Sequence, residues 1–124
     1  MTKMYIAVLD EVPDFIVPTL VAHAVLGYHI NQEYNKDSSR ESMLYYSWLE
    51  ESFKKCVVKV NQKEFDKISA LPDVGLFHEN KTLEGKKSCA VLVVDDEIPN
   101  VLKFAKLWQT NNTKENISES SSQV

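Results

Sequence analysis

The chain has 124 residues, 44% of them hydrophobic, which suits one compact domain with a core of its own. A formal net charge of −4 and a pI near 5.3 weigh against broad, nonspecific nucleic-acid binding, and no run approaches the ~20 apolar residues of a membrane span. The two cysteines, Cys56 and Cys89, each sit in an apolar run rather than a CxxC pair and read as buried free thiols of a reducing cytosol. With only three scattered histidines beside them, no metal site and no cofactor is expected.

The start, "MTKMYIAVLDEV", reaches an acid before any long apolar segment develops, so it does not read as a signal peptide, and a cytoplasmic protein is expected. "KMYIAVLD" is a short β-rich apolar run, the pattern of a buried strand. "EVPDFIVP" is a proline-marked connection, and Pro18 fits the first turn of a helix, where its missing N–H costs nothing. From Thr19 to about Ile30 the segment "TLVAHAVLGYHI" is apolar on nearly every side, which predicts a sandwiched helix. "NQEYNKDSS" breaks it, and Ser39 caps a second helix, "RESMLYYSWLEES", whose Tyr45 and Trp48 read as core or interface aromatics. "KCVVKV" alternates as a strand with Cys56, Val58 and Val60 on one face. Asn61 caps a short helix, "QKEFDKISAL", with Phe65 and Ile68 inward and Pro72 as its stop. "VGLFHE" and "SCAVLVV" are two further strands around a turn containing Gly85, and Pro99 opens a last helix, "NVLKFAKLW".

The predicted order is β-α-α-β-α-β-β-α: one α/β domain over residues 1–108, built on a mixed sheet of about four strands flanked by helices. From 109 to 124 the composition turns polar and serine- and asparagine-rich, which predicts a disordered tail. Charge is unevenly spread. "FKKCVVKVNQK" and "NKTLEGKK" are lysine-rich, while acids gather in "WLEES" and "VVDDE". Each is first of all solvated surface, though a positive face on an acidic protein is compatible with this pattern.

Taken together, "MYIAVLD", "LVAHAVLG", the tryptophan-bearing second helix, "KCVVKVNQKEFDKI" and "HENKTLEGKKSCAVLVVDDEIPNVLKFAKLW" resemble the archaeal and eukaryotic (type two) peptidyl-tRNA hydrolases over almost everything but the tail. The resemblance implies a four-stranded mixed sheet flanked by helices, a homodimer, and tRNA as a partner. It also implies a lysine seven positions before the "AHA" histidine and a glutamine three before it, where this chain has Ile16 and Leu20. At the family's aspartate after the third strand, its threonine four residues on and its threonine entering the fourth strand, an ungapped alignment places His78, Thr82 and Ala90. A shift of one or two residues brings Glu79 or Ser88 into the site instead.

Ester hydrolysis on a tRNA ribose needs a positioned water, a group to take its proton and donors for the oxyanion. Ile16 and Leu20 can neither donate a hydrogen bond nor hold a charge. The expectation is therefore a binding or regulatory protein with the hydrolase fold and without its chemistry, taking a small anionic or nucleotide-like ligand or a partner protein in its altered cleft. Ile16, Leu20, Glu79, Lys81, Lys86, Lys87 and Ser88 would line that cleft. Two alternatives stay open: a working peptidyl-tRNA hydrolase in which His23, His78, Glu79, Thr82 or Ser88 replaces the lost groups, with His23, His78 and Thr82 as the catalytic candidates, and a hydrolase of another ester or amide. His23 itself reads either as a base in a rewired site or as a neutral, hydrogen-bonded residue of the fold, and the second is the reading preferred.

Overall fold

In the computed structural model, which describes residues 1–78 and 83–109, the chain forms a mixed α/β unit around a five-stranded open sheet. Strand β1 (Lys3–Leu9) leads through a 3₁₀ turn at Asp14–Ile16 into helix α1 (Val17–Tyr34). Helix α2 (Arg40–Ser47) widens into a π-type turn over Trp48–Ser52, which Phe53 ends in the left-handed region at φ 54°. Strand β2 (Lys55–Val60), helix α3 (Gln62–Ser69), strand β3 (Gly75–Phe77), strand β4 (Cys89–Val94), the single turn α4 (Asn100–Lys103) and strand β5 (Lys106–Leu107) follow. The strand order is β3-β4-β1-β2-β5, with β1 and β2 parallel and every other pair antiparallel.

The apolar runs explain the centre of the sheet. Met4 through Leu9 are all buried, because β1 lies between β2 and β4 and is covered on both faces. The face carrying Phe77, Val91, Ile6 and Val57 holds α1, where Gly27 and Tyr28 come down on Phe77 and Gly75. A Cβ at Gly27 would stand 2.6 Å from the Phe77 ring, so the close approach of helix and strand needs a glycine there. The other face packs against α3 through Phe65 and Ile68, and α3 starts on the expected cap: Asn61 accepts from the Glu64 N–H (2.9 Å) while Glu64 accepts from the Asn61 N–H (2.8 Å). Ser39 caps α2 in the same way through the Ser42 N–H at 3.2 Å. Tyr45 and Trp48 are core residues, the indole donating to the Lys54 carbonyl at 2.6 Å. Cys56 and Cys89 are buried and free.

Two elements differ from expectation. The last helix is one turn only: after Phe104 the chain runs as β5 along β2, where Lys106 pairs with Lys59, Leu107 pairs with Val58, and Trp108 donates to the Val57 carbonyl. The backbone groups on the outer edge of β2 need partners, and this fifth strand supplies them. Helix α1 starts two residues before the expected start and runs four residues past Ile30, and it is not sandwiched. Val17, Leu20, Ala24 and Tyr28 are buried, while Ala22, His23, Leu26, Ile30 and Tyr34 face outward. Periodicity could not separate these faces, because both are apolar. Beyond Gln109 the expected polar tail lies outside the described residues. Among the described residues no helix is long and apolar enough to cross a membrane, and no group of three or more His, Cys, Asp or Glu could hold a metal ion.

Candidate functional site

β1 pairs in parallel with β2 and antiparallel with β4, and in open α/β sheets ligands bind outside the carboxyl ends of the strands. There the Leu9 N–H bonds the Ser88 carbonyl (3.0 Å) and the Asp10 N–H bonds the Val60 carbonyl (2.8 Å). The Ser88 N–H reaches the Phe77 carbonyl (2.9 Å) and draws in the end of β3. The backbone thereby gathers Asp10, Glu11, Asn61, His78, Lys86, Lys87 and Ser88 at one end of the sheet. Before Lys86 the chain passes through three left-handed residues, Leu83, Glu84 and Gly85 (φ 50°, 51° and 77°). Two of them carry side chains that disfavour this region, so the loop is held in a costly shape by its surroundings.

The cations of this loop are placed individually. Lys86 Nζ lies 3.2 Å from Glu11 Oε2, a half-exposed ion pair that links the β1–α1 connection to the loop. Lys87 Nζ lies 3.4 Å from His78 Nδ1, so the two share one position on the surface. Both lysines are exposed and His78 is half-buried. Of the other residues expected here, Glu79, Lys81 and Thr82 lie outside the described residues. Ser88 is 2% exposed and held by its main chain in the strand-like pairing. Ala90 is fully buried between Ala7 and Leu76.

The helix side of the expected cleft differs from the sequence reading. Leu20 is 0% exposed and belongs to the core, whereas Ile16 is half-buried at the start of α1. His23, three residues after Leu20 and about 60° round the helix, is exposed rather than buried. Its ring meets Phe77 edge-on at 6.1 Å, and among the described residues no hydrogen bond joins it to His78 or to the loop. The reading of His23 as a buried, satisfied residue of the fold is therefore corrected. The histidine with a side-chain partner is His29, half-buried, whose Nδ1 lies 2.8 Å from the hydroxyl of buried Tyr45.

Both cysteines are buried free thiols. Burial pushes the Cys89 thiol up to about 12, and it raises Cys56 as well, with Lys3 partly opposing. A second concavity, missed from sequence, opens at the far end of the sheet. It is a cleft of about 570 Å³ between α1, α2 and the end of β4, lined by Tyr28, Arg40, Glu41, Asp73, Asp95 and Asp96 among others. The Tyr28 hydroxyl donates to the Asp73 carbonyl at 2.9 Å, and the N-terminal ammonium lies 2.5 Å from Asp96 and 3.7 Å from Asp95. Burial, with Glu41 adding to it, holds the Asp73 carboxyl above its usual range. The signal was present in "VVDDE", but nothing local said that α2 would close over it. No protein-family model and no curated protein matches the sequence.

Proposed function

We propose that this chain is a peptidyl-tRNA hydrolase-like binding protein that takes an anionic ligand at the carboxyl end of β1 and does not perform the ester hydrolysis of the family it resembles. One observation carries the reading: Leu20, at the position where that family has a glutamine, is wholly enclosed, so this turn of α1 presents no donor to a cleft. Ile16, in place of the lysine, adds neither charge nor hydrogen bond. What the site offers instead is Lys86, Lys87 and His78 on a strained loop, three donors that suit a phosphate or carboxylate. The test pairs a peptidyl-tRNA hydrolysis assay with calorimetric titration of inorganic phosphate and a nucleoside monophosphate. Expected are no turnover at catalytic concentrations and an anion affinity that falls about tenfold in Lys87→Gln. Efficient turnover by the unmodified protein overturns the reading and moves the chemistry to His23, His78 and Thr82.

The homodimer that the resemblance implies has its own support. Residues 15–32 contain no Asp, Glu, Lys or Arg, and on the outer face of this segment and the end of α1 Phe15, Leu26, Ile30 and Tyr34 are 78%, 61%, 47% and 86% exposed. A neutral stripe can meet its own copy across a two-fold axis without opposing like charges. It offers on the order of 600 Å² per copy, against roughly 800 Å² in an interface of standard size. We therefore place a second copy on this face. Sedimentation should show a dimer that Leu26→Glu with Ile30→Glu converts to a folded monomer; a wild-type monomer at about 100 μM overturns it.

A further inference from the structure

A second basic surface lies apart from that loop, on the strand that α1 fails to cover. On β2 the side chains of Lys55, Val57 and Lys59 share the less buried face, since the strand alternates half-buried and buried. β5 adds Lys106 directly opposite Lys59, and two residues on, on the same face, Trp108. Directly opposed like charges destabilise a ladder, and at this spacing two ammonium groups repel unless something lies between them. Among the described residues no carboxylate comes within ion-pair distance of Lys55, Lys59 or Lys106; the ion pairs present use only the N-terminus, Lys86, Glu11, Asp95 and Asp96. In a chain with 18 acids and 14 basic residues, this face keeps three cations without an acidic partner among the described residues.

Two of these cations rest on aromatic rings instead. Lys55 Nζ sits 3.4 Å from the centre of the Phe53 ring, and Lys59 Nζ sits 4.6 Å from that of Trp108. Phe53 is 52% exposed and Trp108 half-buried. Lys55 and Lys59 are four residues apart on one strand, about 13 Å, roughly twice the spacing of adjacent phosphates in an extended strand of nucleic acid, so they reach alternate phosphates. A row of cations alternating with rings is the arrangement that holds a single-stranded polynucleotide: phosphates take the ammonium groups and bases take the ring faces the lysines vacate. An acidic peptide would satisfy the lysines but would make no use of the rings.

We propose that the β2–β5 face, through Lys55, Lys59, Lys106 and Trp108, binds single-stranded nucleic acid. The acidic remainder of the molecule keeps the affinity modest and confines contact to this edge. The reading is independent of the anion site at Lys86 and Lys87, because its measurement involves neither hydrolysis nor small anions.

The test is fluorescence anisotropy with the full chain and labelled ten-nucleotide oligo(U) and oligo(dT), beside a duplex of equal length and poly-glutamate. Three phosphate contacts on a single strand give a log–log salt slope near −2, so affinity should fall roughly fifteen-fold between 50 and 200 mM salt. Lys59→Gln with Lys106→Gln should bring the slope to about −0.7 and weaken binding at least tenfold at 50 mM salt. The exposed single change Lys106→Gln should give an intermediate value, and Lys63→Gln, which removes the same charge on α3, should bind as wild type. Base stacking should quench the emission of Trp108 and leave that of buried Trp48, so the quench disappears in Trp108→Leu. The stronger of the two oligonucleotides identifies the sugar. Poly-glutamate binding as tightly as either strand, an affinity untouched by the double substitution, or binding without a quench each overturns the proposal.

Discussion

Leu20 and His23 stand three residues apart on α1, and truncating them should have opposite consequences. Leu20 is enclosed by the core, so Leu20→Ala should cost roughly 2–5 kcal/mol in urea denaturation. His23 is exposed, with one edge-on ring contact, so His23→Ala should stay within about 0.5 kcal/mol of wild type. The sequence could not rank the two, since "AHA" reads equally well as an inward or an outward stripe when every neighbour is apolar. The same geometry bears on restoring the family's residues. Leu20→Gln would bury an amide among aliphatic side chains and should destabilise the fold by about 1–3 kcal/mol before it could recover any rate. Cys89 gives a prediction in pH. Its folded thiol is raised from the ordinary value near 9 to about 12, so its contribution to stability is intact below pH 9 and is lost as pH rises toward 12. Tyr45, raised by burial to about 12, works in the same direction from pH 10 upward. The denaturation midpoint should fall across this window, less steeply in Cys89→Ala, and iodoacetamide at pH 8 should label Cys89 only in denaturant.

Among the elements, those specified by their own residues were legible. The alternation of Cys56, Val58 and Val60, the Asn61–Glu64 cap and the continuous apolar run of β1 each point to one local structure and need no distant partner to decide it. The elements that changed depend on such a partner. "NVLKFAKLW" has helical periodicity, yet the unpaired edge of β2 takes Lys106 and Leu107 into the sheet, a competition between segments almost fifty residues apart. The site divided in the same way. Its loop lysines were visible as composition, whereas the ladder contact of Lys59 with Lys106 exists only once β5 has formed. A chain ending at Gln109 keeps β5, and one ending at Phe104 loses it together with the packing of Leu107 and Trp108. The second should melt roughly 5–10 °C below the first, for a loss on the order of 1–2 kcal/mol. At the crossing of α1 with β3, Gly27→Ala should destabilise by about 1 kcal/mol or more. The gain in helix propensity, about 1 kcal/mol, is outweighed by driving a methyl group into Phe77 at 2.6 Å.

At the scale of the molecule, the sheet is polarised in charge. At the end where β1 finishes Lys86 and Lys87 are offset by Asp10 and Glu11, whereas Glu41, Asp73, Asp95 and Asp96 mark the end where it begins. An approaching anion is thus turned away from the acidic end before contact, an effect that fades once salt shortens the Debye length to about 10 Å. The sheet order also carries a consequence for biosynthesis. β1 is its middle strand, hydrogen-bonded to β2 on one edge and β4 on the other, and it is made before either partner. Its second partner ends at Val94, about ninety residues later, or roughly 5–18 s at ordinary elongation rates. Throughout that interval "KMYIAVL" has an unpaired edge and no complete cover, the condition in which nascent strands aggregate or are held by chaperones. The most buried strand of the finished protein is therefore the most vulnerable segment of the growing one, and mutations that slow synthesis or pairing of β4 should reduce yield without altering the stability of the molecules that escape.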